Sequence, residues 1–239
     1  MNHTVKAYRF INTNDLKKRK FMYTIFNKLS GRKFGHKIIE KFMDYRPPFI
    51  YPWFQATMLN IFSGGTSLQD PKFIKTVLNG KSVGVQPLLN YSDEYTTNIY
   101  DLNENFVEMC KMINFLDNNR SSNGKCGGAI LRATGLVSWK EMKQFKYNIE
   151  QLDIERIENI CNLGVEKNVP IVWDAETIDI EDVIHKLSIN QMIKHNRKHF
   201  NMYATIQCYR KDTIPRLEYL IQLSRSEKFK LGIKLVRGA

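Results

Sequence analysis

Four stretches of this sequence run from an apolar segment into side chains able to do chemistry. Leu131 leads into Arg132 and Thr134, Trp173 into Asp174 and Glu176, Ile206 into Gln207, Tyr209 and Arg210, and Leu231 into Lys234 and Arg237. Cations, carboxylates and an amide gathered in one place would suit a small anionic ligand together with a cofactor that carries phosphates and a hydrogen-bonding ring. Helix caps and ion pairs draw on the same residue types, and the pattern alone does not choose between the two readings.

The elements that would gather them follow from periodicity. Strand-like runs are expected at Ser82 to Tyr91, Gly127 to Thr134, Val169 to Asp174, Met202 to Gln207 and Leu231 to Val236. Between them lie amphipathic stretches near Asn103 to Leu116, Glu155 to Gly164, Ile180 to His195 and Ile214 to Ser226. This repeat of about 30 to 45 residues is typical of βα units, and crossover helices connect parallel strands. The polar residues above then sit at the carboxyl ends of the strands, where parallel α/β folds bind ligands. Ahead of the repeat, Leu16 to Leu29 reads as a basic helix, with Gly35 to Tyr45 and Trp53 to Phe62 as two more; Ser30 with Gly31, Pro47 with Pro48, and Gly64 with Gly65 break them.

Composition narrows the function classes. With 239 residues, 43% of them hydrophobic, the chain can bury one full core or two small ones. No apolar run reaches the roughly 18 residues of a membrane-spanning helix. The net charge of +12 asks for an acidic partner, whether nucleic acid, an anionic bilayer or small anions. Basic clusters at Lys17 to Lys20, Arg32 with Lys33, and Lys194 to Lys198 carry no aromatic interleaving, so a solvated surface explains them and no nucleic-acid partner is expected. Cys110, Cys126, Cys161 and Cys208 form no CxxC pair. His195 and His199 lie one helical turn apart, but Arg197 and Lys198 beside them disfavour a cation and no metal is expected. The first fourteen residues hold Lys6 and Arg9 and no acid, an echo of organelle-addressing segments.

The final stretch, Gly232-Ile233-Lys234-Leu235-Val236-Arg237-Gly238-Ala239, resembles the fifth barrel strand of the proline dehydrogenases. Leu131 to Leu136 resembles strand two of that family, Val172 to Glu176 strand three, and Ile206 to Thr213 strand four. Phe62-Ser63-Gly64-Gly65 is similar to a family segment ahead of the barrel. The resemblance implies a (β/α)8 TIM-like barrel, here incomplete with about five βα units, preceded by N-terminal helices. It divides the chain into an N-terminal helical segment, residues 1–65, and a partial barrel, residues 66–239. About three more units would need on the order of 100 residues, and the 239-residue polypeptide alone is expected to bind FAD poorly and to oxidise little proline.

The family's activity is FAD-dependent oxidation of L-proline to Δ1-pyrroline-5-carboxylate, with electrons passed to a quinone. Carried over residue by residue, Asp174 matches the active-site aspartate and Lys234 the basic residue beside the reactive flavin nitrogen. Gln207 matches the amide that reads the flavin ring, while Arg237, Gly238 and Ala239 match the turn that meets the FAD phosphates and ribose. Arg132 stands where the family has a lysine that helps hold the substrate carboxylate. Charge is kept and geometry is not, so replacing Arg132 by lysine is expected to improve proline turnover.

Two alternatives share the resemblance: a catalytically inactive member acting through protein contacts, and a hydroxyproline dehydrogenase. The resemblance further implies a mitochondrial address on the matrix side of the inner membrane if the source is eukaryotic, and otherwise a cytoplasmic or membrane-associated one. The basic, aromatic N-terminal segment fits peripheral membrane contact.

Overall fold

The computed structural model of the chain describes residues 13–30, 45, 48, 51–52, 68, 73–74, 77, 85–91, 94–121, 124 and 126–238. Two compact units divide it, Met1–Val85 and Gln86–Ala239. The expected helices at 35–45 and 53–62 and the segment 62–65 lie outside the described residues, apart from Tyr45. In the first unit one helix is described over its length, α1 (Thr13–Ser30). Its Lys17, Lys18, Lys20, Phe21 and Tyr23 are exposed, so this helix presents cations and aromatic rings together.

The second unit runs β1 (Leu88–Asn90), α2 (Ile99–Asn118), β2 (Gly128–Leu131), α3 (Trp139–Gln144), α4 (Glu155–Glu166), β3 (Ile171–Trp173), α5 (Glu181–His195), β4 (Met202–Gln207), α6 (Thr213–Ser226) and β5 (Ile233–Val236). The five strands form one sheet in the order β1-β2-β3-β4-β5, every neighbour parallel. The expected alternation of strand and helix is thus observed, with strand β4 at its expected bounds. Strand β1 is shorter than expected, and Pro87 gives a reason: lacking an N–H it donates nothing to the ladder, although its carbonyl accepts from Gly128 N at 3.0 Å. Helix α2 starts four residues before Asn103, because the Asn98 side chain accepts from Tyr100 N at 3.0 Å and caps the first turn.

Register assigns the two faces of the sheet. Ala129 pairs with Ile171 and Ile171 with Met202, while Leu131 pairs with Trp173; these residues are at most 1% exposed. They face the helical layer, where α2 buries Ile113 and Leu116, α4 buries Ile157 and Ile160, and α5 buries Val183 and Leu187. Each fully buried Ile or Leu contributes about 1.5–3 kcal/mol of transfer free energy, so this layer supplies most of the unit's cohesion. Helix α5 is buried on several sides at once, including Glu181, His185, Ser188 and Gln191, as befits a helix enclosed by neighbours. Helix α4 comes so near β3 that a Cβ on Gly164 would sit 2.6 Å from Ile171 Cγ1. Glycine at 164 is what permits that approach.

The opposite face carries Ile130, Val172, Tyr203, Thr205 and Lys234, linked by the pairs Ile130 with Val172, Val172 with Tyr203, and Thr205 with Lys234. Alternation along each strand puts Arg132, Asp174 and Gln207 on this same side, just past or at the strand ends. No helix among the described residues is long and apolar enough to cross a membrane.

Candidate active site

Strand β2 ends at Leu131, and the chain then turns through a 3-10 segment, Ala133–Gly135, with Arg132 as its cap residue. The Arg132 side chain reaches in two directions. Its Nη1 pairs with Glu94 Oε1, and its Nη2 with Asp174 Oδ2 at 3.2 Å. Its Nε is buried and has no partner among the described residues. Asp174 follows β3 directly, and its backbone N donates to Leu131 O at 2.9 Å, so the β2–β3 ladder continues into the site. The other Asp174 oxygen, Oδ1, accepts from Lys234 Nζ at 2.5 Å.

Lys234 is set by register rather than by a loop, since it pairs with Thr205 in β4, and Thr205 Oγ1 donates to Trp173 O at 2.6 Å. Glu94, Arg132, Asp174 and Lys234 therefore form a chain of alternating charges across three strand ends and the loop after β1. The Arg132, Asp174 and Lys234 side chains are 23%, 17% and 26% exposed, partly desolvated yet open on one side. In such surroundings an unpaired charge is costly and a paired one is held in a defined place.

Glu176, two residues beyond Asp174, is 4% exposed. Its Oε1 accepts from Thr134 N at 3.2 Å and its Oε2 accepts from the Thr134 hydroxyl. Burial pushes its carboxyl above the ordinary carboxylate range, and the bonds from Thr134 and Ala133 and the nearby Arg132 oppose that push. Glu94, Arg132, Asp174, Glu176, Tyr209 and Gly238 line a cavity of about 560 Å³, enough for a small amino acid beside part of a larger ligand.

The remaining residues expected from sequence sit around this cavity in different ways. Gln207 lies on the same face of the sheet but is 1% exposed. Its Nε2 donates to Glu176 O at 3.5 Å, and its side chain is hydrogen-bonded to the Glu181 carboxylate. Both partners are acceptors, which directs the amide N–H groups toward them and turns the carbonyl end away. Arg237 is exposed at the end of β5, and its carbonyl accepts from Tyr209 N at 2.8 Å. A Cβ on Gly238 would fall 2.0 Å from Tyr209 Cδ1, so only glycine lets the backbone pass the tyrosine ring. Ala239 lies outside the described residues. Among the described residues no cluster of three or more His, Cys, Asp or Glu side chains is arranged to hold a metal ion.

Arg132, Asp174 and Lys234 are thus brought into direct contact, while Gln207 stands beneath the Glu176 loop. Glu94 and Glu181 were absent from the expected site. Neither carries a motif, and only the fold reveals that Glu94 reaches Arg132 and that Glu181, at the start of α5, reaches Gln207.

The family model described as proline dehydrogenase matches residues 73–239. The chain is similar to mitochondrial proline dehydrogenase 1 of Caenorhabditis elegans, 36% identical over 86 residues, a segment that is 36% of this chain and 14% of that protein. It is similar to mitochondrial proline dehydrogenase 1 of Dictyostelium discoideum, 35% identical over 106 residues, 44% of this chain and 18% of that protein. The matched segments thus span less than a fifth of these relatives. Among solved structures, proline utilization A of Bdellovibrio bacteriovorus, inactivated by N-propargylglycine, superposes with a TM-score of 0.68 at 14% identity, covering 98% of this chain and 26% of that one. At that identity the likeness speaks for the α/β fold with five parallel strands.

Proposed function

The chain belongs to the proline dehydrogenase family, and from that premise we propose that its strand-end site serves the FAD-dependent oxidation of L-proline to Δ1-pyrroline-5-carboxylate, with a quinone as final electron acceptor. The observation that carries this reading is the contact of Arg132, Asp174 and Lys234 at one rim of a parallel sheet, beside a cavity of amino-acid size.

The residues present fit a flavin nucleotide. Lys234 offers ammonium donors within the site, Arg237 is an exposed cation at the adjoining strand end, and the backbone at Gly238 carries no side chain that would bar close approach. Lys234, Arg237 and Gly238 would hold the cofactor, with Ala239 beside them by family resemblance. FAD, when bound, accepts two electrons from the ring carbon next to the proline nitrogen.

This chain's own residues do the rest. Arg132 holds the substrate carboxylate, for which its guanidinium is the matching cation; to do so it exchanges part of its contact with Glu94 or Asp174. Asp174 keeps the Lys234 ammonium aimed into the site, and Lys234 places positive charge where negative charge accumulates during the reaction. Gln207, buried beneath the Glu176 loop, braces that loop and the start of α5 through its N–H groups.

The relatives' names carry a mitochondrial address, which we extend to this protein, on the matrix side of the inner membrane. The cations and aromatic rings exposed together on α1 support peripheral contact with an anionic bilayer.

The protein produced from the whole reading frame that encodes residues 1–239, supplied with FAD, provides the test. We expect proline-dependent reduction of an artificial electron acceptor, a turnover lower by roughly a hundred-fold in Asp174→Asn, and a weaker response to 4-hydroxyproline. Absence of proline-dependent reduction in the wild-type protein, with bound FAD demonstrated, overturns the reading.

A further inference from the structure

The 3-10 segment after β2 begins with backbone N–H groups that have no partner within the turn itself. Its cap residue, Arg132, makes no side-chain capping bond, because its guanidinium is engaged with Glu94 and Asp174. Glu176 does the capping from 42 positions away. One of its oxygens takes Thr134 N, the other takes the Thr134 hydroxyl, and Ala133 N–H also points to the carboxylate.

Three features make this more than a local tie. The bonded residues come directly after Arg132, so the carboxylate fixes the backbone from which the guanidinium springs. Glu176 itself comes two residues after Asp174, so the same contact fixes the base of the other half of the Arg132–Asp174 pair. Finally, the backbone carbonyl of Glu176 accepts from Gln207 Nε2, which braces the loop against β4. Glu176 is buried, lines the cavity and donates no charge to Lys234 or Glu94 in the ion-pair chain.

We propose that Glu176 is a positioning residue for the subsite that receives the substrate's carboxylate: by clamping Thr134 it holds Arg132 and Asp174 at the spacing a small carboxylate must meet. The proposal rests on the reading that Arg132 is the carboxylate's partner, and it adds a residue that acts through Arg132 without touching the substrate.

The chemistry of the clamp gives it a graded signature. Glutamine at 176 keeps one carbonyl oxygen for Thr134 N and can turn its NH2 toward the Thr134 hydroxyl, which also accepts; methionine offers no acceptor to either. Thr134→Val removes the hydroxyl, so the NH2 of a glutamine at 176 then faces a methyl group. Thr134→Val and Glu176→Met each remove the same bond between hydroxyl and carboxylate, so together they should cost less than the sum of each alone.

The experiment uses the FAD-loaded protein from the whole reading frame, measuring proline KM and kcat, together with backbone amide exchange of peptides covering residues 133–136. We expect Glu176→Met to raise KM roughly ten-fold with a smaller change in kcat, Glu176→Gln to raise it only a few-fold, and amide exchange at 133–136 to quicken in step. A KM within two-fold of wild type in folded Glu176→Met overturns the proposal while leaving the proposed function standing. If instead the wild-type protein shows no proline-dependent turnover, the Arg132 reading falls, and the proposal falls with it. Unchanged exchange at 133–136 in Glu176→Met overturns the clamp whatever the kinetics show.

Discussion

Asn196 and Met202 face one another at the turn from α5 to β4 as though they were partners in a ladder. The Asn196 amide donates to Met202 O at 2.7 Å, and its carbonyl oxygen accepts from Met202 N at 2.8 Å. The same side chain accepts from Asn201 N at 3.0 Å and donates to Lys230 O at 2.9 Å, so one fully buried amide ties the helix end, the strand start and the α6–β5 connection together.

Asparagine is the residue that fits, because the site asks for two donors and an acceptor with two lone pairs. Asn196→Asp turns an acceptor toward Met202 O and Lys230 O and buries a charge beside them. We expect a loss on the order of 2–4 kcal/mol in urea denaturation, with Asn196→Ala nearly as severe. A loss below about 0.5 kcal/mol would show that the turn does not depend on this amide.

His185 makes acid stability the second prediction. Burial holds its imidazole down to about 4, helped by Arg216 and Arg210 and opposed by Asp182 and Asp212. The unfolded chain takes up this proton near pH 6.5, whereas the folded one resists until about 4, so acidification across that window favours unfolding and the penalty levels off below it. The full effect is on the order of 3 kcal/mol. Glu176 and Glu181, whose carboxyls burial pushes up, act in the opposite direction. The comparison of wild type with His185→Leu therefore isolates the imidazole: the variant should lose less stability between pH 6.5 and 4, and parallel curves would contradict the assignment.

Arg132 departs from the lysine expected at its position, and the structure gives that departure a geometry. Its fork spans Glu94 and Asp174 at once, which a single ammonium on a flexible stem does not reproduce. Arg132→Lys should release one carboxylate, open the cavity and raise kcat/KM for proline several-fold. Unchanged or poorer steady-state kinetics would count against it.

Thiol reactivity separates the cysteines. Cys161 is fully buried and burial pushes its thiol far above the ordinary range, whereas Cys208 is exposed at the end of β4. Iodoacetamide at pH 8 should alkylate Cys208 first and reach Cys161 only on unfolding, with Cys110 and Cys126 between them. Mass spectrometry over time decides this, and equal rates at Cys161 and Cys208 would contradict the packing of α4.

Much of this arrangement is legible in the residues. Strand β4 falls at its expected bounds and α5 begins one residue later than expected. Arg132, Asp174 and Lys234 are found by the rule that side chains at the carboxyl ends of parallel strands converge. What the residues do not announce are contacts closed over long separations. The cap that Glu176 places on residue 134 ends β2 at Leu131, three positions before the periodicity would stop it. Gln207 looks like a ligand contact from its position, yet the Glu176 loop and the start of α5 cover it, and no periodicity records that cover.

The two cations and two carboxylates of the Glu94–Arg132–Asp174–Lys234 chain cancel, so this part of the mouth adds no net charge while the molecule as a whole carries +12. The excess positive field arises from other residues, and added salt, with a Debye length of about 10 Å at 0.1 M, weakens their pull on acidic surfaces. Side chains in van der Waals contact with one another feel that screening far less. A dipolar solute bearing one charge of each sign can enter such a mouth without altering its balance, whereas a simple ion must leave an uncompensated charge behind.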